Sequence, residues 1–454
     1  MQISCEPSTE RMPAMPLEIR FLQCWPDNIR RKRFEIQEVS LDPMESADTA
    51  RSGTSASNVE IKQRVLSLDV LRGLALLGML LVHFQYYVQG SGLWSDRIGR
   101  LISFIAEDRF YPLFAVLFGA GFTLQLMRWG ARPGFVVFYL RRIAALMVFA
   151  FLLIGLTGYR VLESYAFWAL PLLAIRRWSN RALVILILVC AFAHPAVDFA
   201  TWHWEKRQLT LEQSNAKVEK EIRYWPDAVA EADRLRDEGN FAKLVPFQLQ
   251  KSFGQYLHWK YYVPGDPLLM FLFGMLAVRF KIFQEPLRYR KLLTAFIVIG
   301  VFAGIMSVFA DVIFRFGSFG SFRLAQAARK LTYAIFDERF QGLAYAAATL
   351  LWMAASPASQ RLTRFLANPG RLSLTNYIVQ IAILEIFFAS SHSIIPLNRW
   401  GTLVGVVLVF ALQIAFSRWW IARFRYGPLE WLWRSASFAR WEPLRREQTR
   451  GAAA

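Results

Sequence analysis

The chain has 454 residues, 55% of them hydrophobic and only 19% charged, yet it carries a formal net charge of +19. A composition this apolar excludes disorder over most of the length, and the charged fraction falls below the roughly 25% of a soluble domain. Cys5, Cys24 and Cys190 have no paired spacing, which argues against a disulfide framework or a zinc site. The combination fits a polytopic membrane protein with Lys and Arg concentrated in loops on one side; it calls for no nucleic-acid partner.

Residues 1–63 read as a polar, disordered N-terminal tail. They lack the apolar core of a signal peptide, and Arg30, Arg31, Lys32 and Arg33 stand among many acids. Met44 offers an alternative start. A first half of five spans follows over 64–200, at 66–88, 110–128, 136–157, 161–176 and 181–200, each near the 20 apolar residues that a bilayer crossing needs. The fourth is short and holds Pro171. His194-Pro195 is expected to end the fifth. Residues 201–258 form a long extracytoplasmic loop with charged helical stretches at 209–223 and 228–236, broken at Trp225-Pro226. A second half over 259–435 adds spans at 259–280, 291–312, 338–356, 372–390 and 401–421. Residues 313–336 read as an amphipathic interfacial segment, with Phe314, Phe316, Phe319 and Phe322 interleaved with Arg315 and Arg323. A basic tail occupies 436–454. The expected fold is all-α, a polytopic transmembrane bundle of about ten spans. Of the 53 Lys and Arg, 32 fall on the inner side if both termini are cytoplasmic, which is the orientation the positive-inside rule selects. The expected location is the bacterial inner membrane, and the first partner is the lipid bilayer.

Polar groups at membrane depth are costly and therefore informative. In the first span, Asp69 and Arg72 are three apart and share a helix face. His83 lies eleven residues after Arg72, about 16 Å along the helix and back on nearly the same face. A charge pair at one mouth and a histidine towards the other can line a path, with His83 as general base. Equally, Asp69–Arg72 can be an anchoring pair and His83 an interfacial residue. Gly73, Gly78, Gly119 and Gly121 allow close helix packing or a slim ligand path. Asn376 and Gln380 share a face of the ninth span, able to bind a substrate amide, polarise a carbonyl or join helices. Glu385 is an intramembrane carboxylate, unpaired by sequence, and on that ground a functional candidate. Arg160–Glu163 reads as a local pair, and Glu430–Arg434 as a helical ion pair at i, i+4. No phosphate loop and no nucleophile elbow occur, and no metal site is expected.

Several motifs carry a resemblance. Leu68-Asp69-Val70-Leu71-Arg72-Gly73-Leu74-Ala75 with Val82-His83-Phe84 resembles the opening helix of the integral-membrane acyltransferase type 3 family and of the YeiB-like family, a domain of unknown function similar to heparan-alpha-glucosaminide N-acetyltransferase. Phe110-Tyr111-Pro112-Leu113-Phe114-Ala115-Val116-Leu117-Phe118-Gly119-Ala120-Gly121-Phe122, the stretch from Pro369-Gly370-Arg371 to Tyr377-Ile378-Val379-Gln380, and Tyr426-Gly427-Pro428-Leu429-Glu430-Trp431-Leu432-Trp433-Arg434 are similar to YeiB-like signatures. The resemblance implies an acyltransferase-type bundle that moves an acyl group from a cytoplasmic acyl-CoA, a co-substrate rather than a covalently bound cofactor, to an extracytoplasmic glycan or small-molecule acceptor. Arg72, Arg141, Arg142 and Arg371 are the candidate cations for the CoA phosphates, because the guanidinium fork binds phosphate well. For Arg141-Arg142, ordinary topology is an equal reading. A transporter of two inverted five-span halves and a non-catalytic membrane protein remain as alternatives.

Overall fold

The computed structural model describes residues 66–85, 93–208, 210, 212–213, 227–257, 262–263, 265–316, 339–388 and 399–446. The chain divides at Ser57–Asn58, and every described residue lies in the second part. The expected tail 1–63, the helix at 209–223 apart from a few residues, most of the interfacial segment 313–336, and His258 and His392 fall outside the described residues.

Among the described residues the architecture is helical. In chain order the elements are α1 (Leu66–Gln85), α2 (Leu93–Ala106), α3 (Phe110–Trp129), α4 (Phe135–Thr157), α5 (Val161–Ala169), α6 (Pro171–Ile175), α7 (Asn180–Gln208) and α8 (227–237). They continue with α9 (Phe241–Gln255), α10 (Asp266–Arg279), α11 (Arg290–Phe316), α12 (Arg339–Ala355), α13 (Pro357–Arg371), α14 (Ser373–Phe388), α15 (Arg399–Arg423) and α16 (Pro428–Phe438). Among the described residues four stretches are long and apolar enough to cross a bilayer: Leu66–Gln85, Arg97–Trp129, Phe135–Thr157 and Trp400–Arg423. Their outward faces carry Val148, Leu152 and Leu156 on α4 and Val404, Val407 and Leu412 on α15, all exposed. Rows of exposed aliphatics this long belong against lipid rather than water.

Breaks follow the local chemistry. Gly134 and Gly158, both at positive φ, bound α4. Pro171, which has no N–H to donate, divides the expected fourth span into α5 and α6. His194-Pro195 does not end the fifth span, because α7 runs through it to Gln208; a proline costs one helical hydrogen bond, which the apolar turns on either side override. Three helices were not anticipated: α2, α9 and α13. Helix α9 starts at Asn240, whose side chain accepts the Lys243 N–H at 3.3 Å. Helix α13 starts at Ser356, which accepts the Ser359 N–H at 3.2 Å, and has proline at its first position. It occupies the stretch that hydropathy alone leaves as a loop.

Glycines set the closest helix approaches. Gly119 of α3 lies against the backbone of Phe271 in α10, and Gly274 of α10 against Val116 of α3. Gly73 of α1 lies against the Leu366 carbonyl of α13, and Gly370 of α13 against the Asp69 carbonyl of α1. Each pair is reciprocal, so backbones meet where any side chain would separate them.

Candidate functional site

A cavity of about 330 Å³ opens among α1, α3, α4, α5, α13, α14 and α16. Arg72 and Met79 both line it from α1, so it extends about 10 Å along that helix. Arg72, Arg142, Arg371 and Arg434 gather at one end, with Tyr426, Glu430 and Trp433. Phe114, Leu117, Phe118, Phe122, Leu146 and Leu162 make the apolar walls. Tyr165 and Tyr377 also line the cavity. Gly121 faces open space, with nothing within 4 Å of where a Cβ would stand. The slim-path reading fits Gly121, whereas Gly73 and Gly119 are packing contacts and Gly78 lies against the Phe110 ring.

The arginines are held individually. Arg72 donates to Asp69 at 2.9 Å. The Arg142 guanidinium lies 3.4 Å from the centre of the Trp433 ring, and the Trp433 indole N–H returns a bond to the Arg142 carbonyl at 2.7 Å. Arg434 stacks on Tyr426 and Phe438, at 4.9 and 4.8 Å, and donates to Glu442 at 3.4 Å. Sequence spacing paired Arg434 with Glu430, and that pairing is not what forms. Glu430 instead accepts the N–H groups of Leu374 at 2.6 Å and Thr375 at 3.1 Å, and the Thr375 hydroxyl at 2.6 Å. It thereby caps the first turn of α14, where a carboxylate also meets the positive end of the helix dipole. Burial pushes the Glu430 carboxyl above the usual range, and the bonds from Thr375 and Leu374 oppose that.

His83 is buried at 2% exposure and is not part of the cavity lining. Its ring lies 4.7 Å from Tyr159 and 6.0 Å from Tyr377. Tyr377 therefore touches both the cavity and His83. The His83 Nδ1, the Tyr377 hydroxyl and both amide atoms of Gln380 are buried with no hydrogen-bond partner among the described residues. Unpaired buried polar groups are uncommon in a finished interior.

The remaining candidates separate. Arg141 is exposed and outside the lining, whereas Arg142 is in it. Asn376 is a joint between helices: its amide donates to the Pro369 carbonyl at 3.1 Å and to Ser417 at 3.0 Å, and its own carbonyl accepts from Gln413 at 2.9 Å. Glu385 is paired after all, with Arg236 of α8 at 3.2 Å. Glu163 accepts from Arg160 at 2.9 Å and from the Tyr256 hydroxyl. Tyr139, Tyr165 and Tyr377 line the cavity and were not singled out by sequence, and Arg434, also in the lining, was read only as an ion-pair partner. Tyr377 and Arg434 sit inside recognised motifs, which was the available signal.

Two family models match the chain. One, described as heparan-alpha-glucosaminide N-acetyltransferase, catalytic, covers residues 64–211. The other, described as a protein of unknown function, DUF418, covers residues 277–440. The chain is 26% identical over 425 residues to the uncharacterized protein YxaH of Bacillus subtilis, covering 84% of this chain and 96% of the relative. It is 28% identical over 397 residues to an uncharacterized 39.9 kDa protein in the amylase 3′ region of Bacillus acidopullulyticus, covering 85% and 97%. It is 26% identical over 403 residues to the uncharacterized protein YeiB of Escherichia coli, covering 82% and 96%. No solved structure matches. The matches bear out the resemblance to YeiB-like proteins, and with the apolar helices they mark the chain as an integral membrane protein.

Proposed function

We propose that this YeiB-like chain is an acyltransferase of the inner membrane. In this reading about ten spans place both termini in the cytoplasm, and an acyl group passes from a cytoplasmic acyl-CoA to an extracytoplasmic hydroxyl or amine. The observation that carries the reading is the cavity: four arginines, aromatic and aliphatic walls, and a lining tyrosine, Tyr377, whose ring lies 6.0 Å from that of His83. Match of the first half to a model named for an N-acetyltransferase supports the same reaction class.

Arg72, Arg142, Arg371 and Arg434 hold the phosphates of the donor. The apolar walls hold the thioester and exclude water. His83 accepts the proton of the acceptor hydroxyl or amine as its oxygen or nitrogen attacks the thioester carbonyl. The tetrahedral adduct collapses, the C–S bond breaks, and the CoA thiolate leaves and takes up the proton. Because Tyr377 stands at the junction of the cavity and His83, its ring turns aside for transfer. Gln380, one turn further along α14, supplies an amide N–H to the carbonyl oxygen.

Consumption of acetyl-CoA by the purified protein, with release of free thiol, tests the reading. His83→Ala is expected to abolish turnover and spare CoA binding. Wild-type protein that neither binds nor consumes the thioester would remove it.

A further inference from the structure

We propose that the segment 419–446 is a docking site for the phosphate headgroups of an anionic lipid at the membrane surface. The chain leaves α15, passes through α16 and returns to the place it left. Phe424 and Arg445 form an antiparallel bridge, the Arg425 N–H donates to the Leu444 carbonyl at 2.9 Å, and the Arg446 N–H to the Arg423 carbonyl at 3.4 Å. This closure sets Arg423, Arg425, Arg445 and Arg446 on one short piece of paired backbone, and all four side chains are exposed. Arg440, also exposed, lies at the start of the returning segment.

The described acids of the segment are engaged elsewhere, so the charge at issue is that of Arg423, Arg445 and Arg446. Glu430 is turned inward to cap α14, and Glu442 is divided between Arg434 and Arg440. Like charges held together by backbone repel, and an anion resting on them relieves the repulsion.

Two further features select a lipid rather than a soluble anion. First, the aliphatic residues on the exposed face of α15, Val404, Val407, Leu408 and Leu412, lie before the cluster in chain order, so the arginines stand where the lipid-facing stripe ends. Second, Trp419 and Trp441 are 49% and 73% exposed; Trp419 lies 4.7 Å under the Arg423 guanidinium and Trp441 stacks on Trp431 at 5.2 Å. Exposed indoles beside cations suit the boundary between headgroups and acyl chains. This inference is independent of acyl transfer.

The full chain, purified in a neutral detergent, is heated with added phosphatidylglycerol or phosphatidylcholine at equal mole ratio, in low and high salt. Phosphatidylglycerol is expected to raise the unfolding midpoint by several degrees more than phosphatidylcholine, with the difference lost in high salt. Triple replacement R440Q/R445Q/R446Q is expected to lose the difference, and R440K/R445K/R446K to keep it, which separates loss of charge from loss of folding. Equal shifts with both lipids, an undiminished shift in the glutamine variant, or an equal shift from soluble glycerol phosphate would each overturn the proposal.

Discussion

Glu430 of α16 accepts the hydroxyl of Thr375 at 2.6 Å and so ties the C-terminal segment to the first turn of α14. The same carboxylate takes two backbone N–H groups of that turn. Helix α14 carries Tyr377 into the cavity. The tie at one end of α14 is matched at the other by the pair of Glu385 with Arg236.

Glu430→Ala removes the acceptor of two part-buried N–H groups and of the Thr375 hydroxyl proton. A loss of about 1–3 kcal/mol is expected, read as a lower unfolding midpoint in detergent. Glu430→Gln retains the accepting oxygen and is expected to recover part of it. No change in midpoint for either variant would show that the tie is not structural.

The glycines make a contrasting pair. A methyl at Gly370 meets the Asp69 carbonyl, part of the backbone, which cannot swing away. Gly370→Ala is therefore expected to destabilise by about 1–3 kcal/mol or more. Gly121→Leu points into the cavity and meets open space. It is expected to leave the midpoint close to wild type while weakening CoA binding. The two measurements on the two variants should move in opposite order.

Removing a donor guanidinium should act on binding. Arg142→Gln or Arg434→Gln each deletes a charge-assisted contact, which is expected to weaken CoA binding about tenfold to a hundredfold. Arg141→Gln, at an exposed position outside the lining, is the internal control and should bind as wild type. Equal loss at all three positions would point to general charge instead of a built site.

Glu442 gives a pH dependence. Burial pushes its carboxyl up, but the bonds from Arg440 and Arg434, at 2.8 and 3.4 Å, and their charges bring it below the usual range. A carboxyl held lower in the folded than in the unfolded chain stabilises above its unfolded value and loses that contribution as pH falls through the folded one. Wild type is thus expected to exceed Glu442→Gln in midpoint at neutral pH, with the two curves converging below about pH 4. A constant gap across that range would contradict the assignment.

Much of the helical frame was legible because apolar runs near 20 residues have one physical outlet. Arg72, Arg142 and Arg371, named from the sequence as candidate cations, line the cavity. Helix α13 was missed because its apolar residues occupy only one stripe and its caps, Ser356 and Pro357, look like a loop. Pairings between distant elements were beyond reach. Nothing local shows that Glu430 serves Thr375 rather than Arg434, that Glu385 meets Arg236, or that Trp433 covers Arg142. Tyr377 was hidden for a different reason: a tyrosine in a span is ordinary until the fold sets it between a cavity and a histidine.

The most direct measurement of the central claim is acetyl-CoA binding and turnover by the purified full chain in liposomes, run on wild type, His83→Ala and Arg142→Gln. Wild type is expected to bind and to release thiol, His83→Ala to bind without release, and Arg142→Gln to bind more weakly. Absence of both binding and release in folded wild-type protein would contradict it.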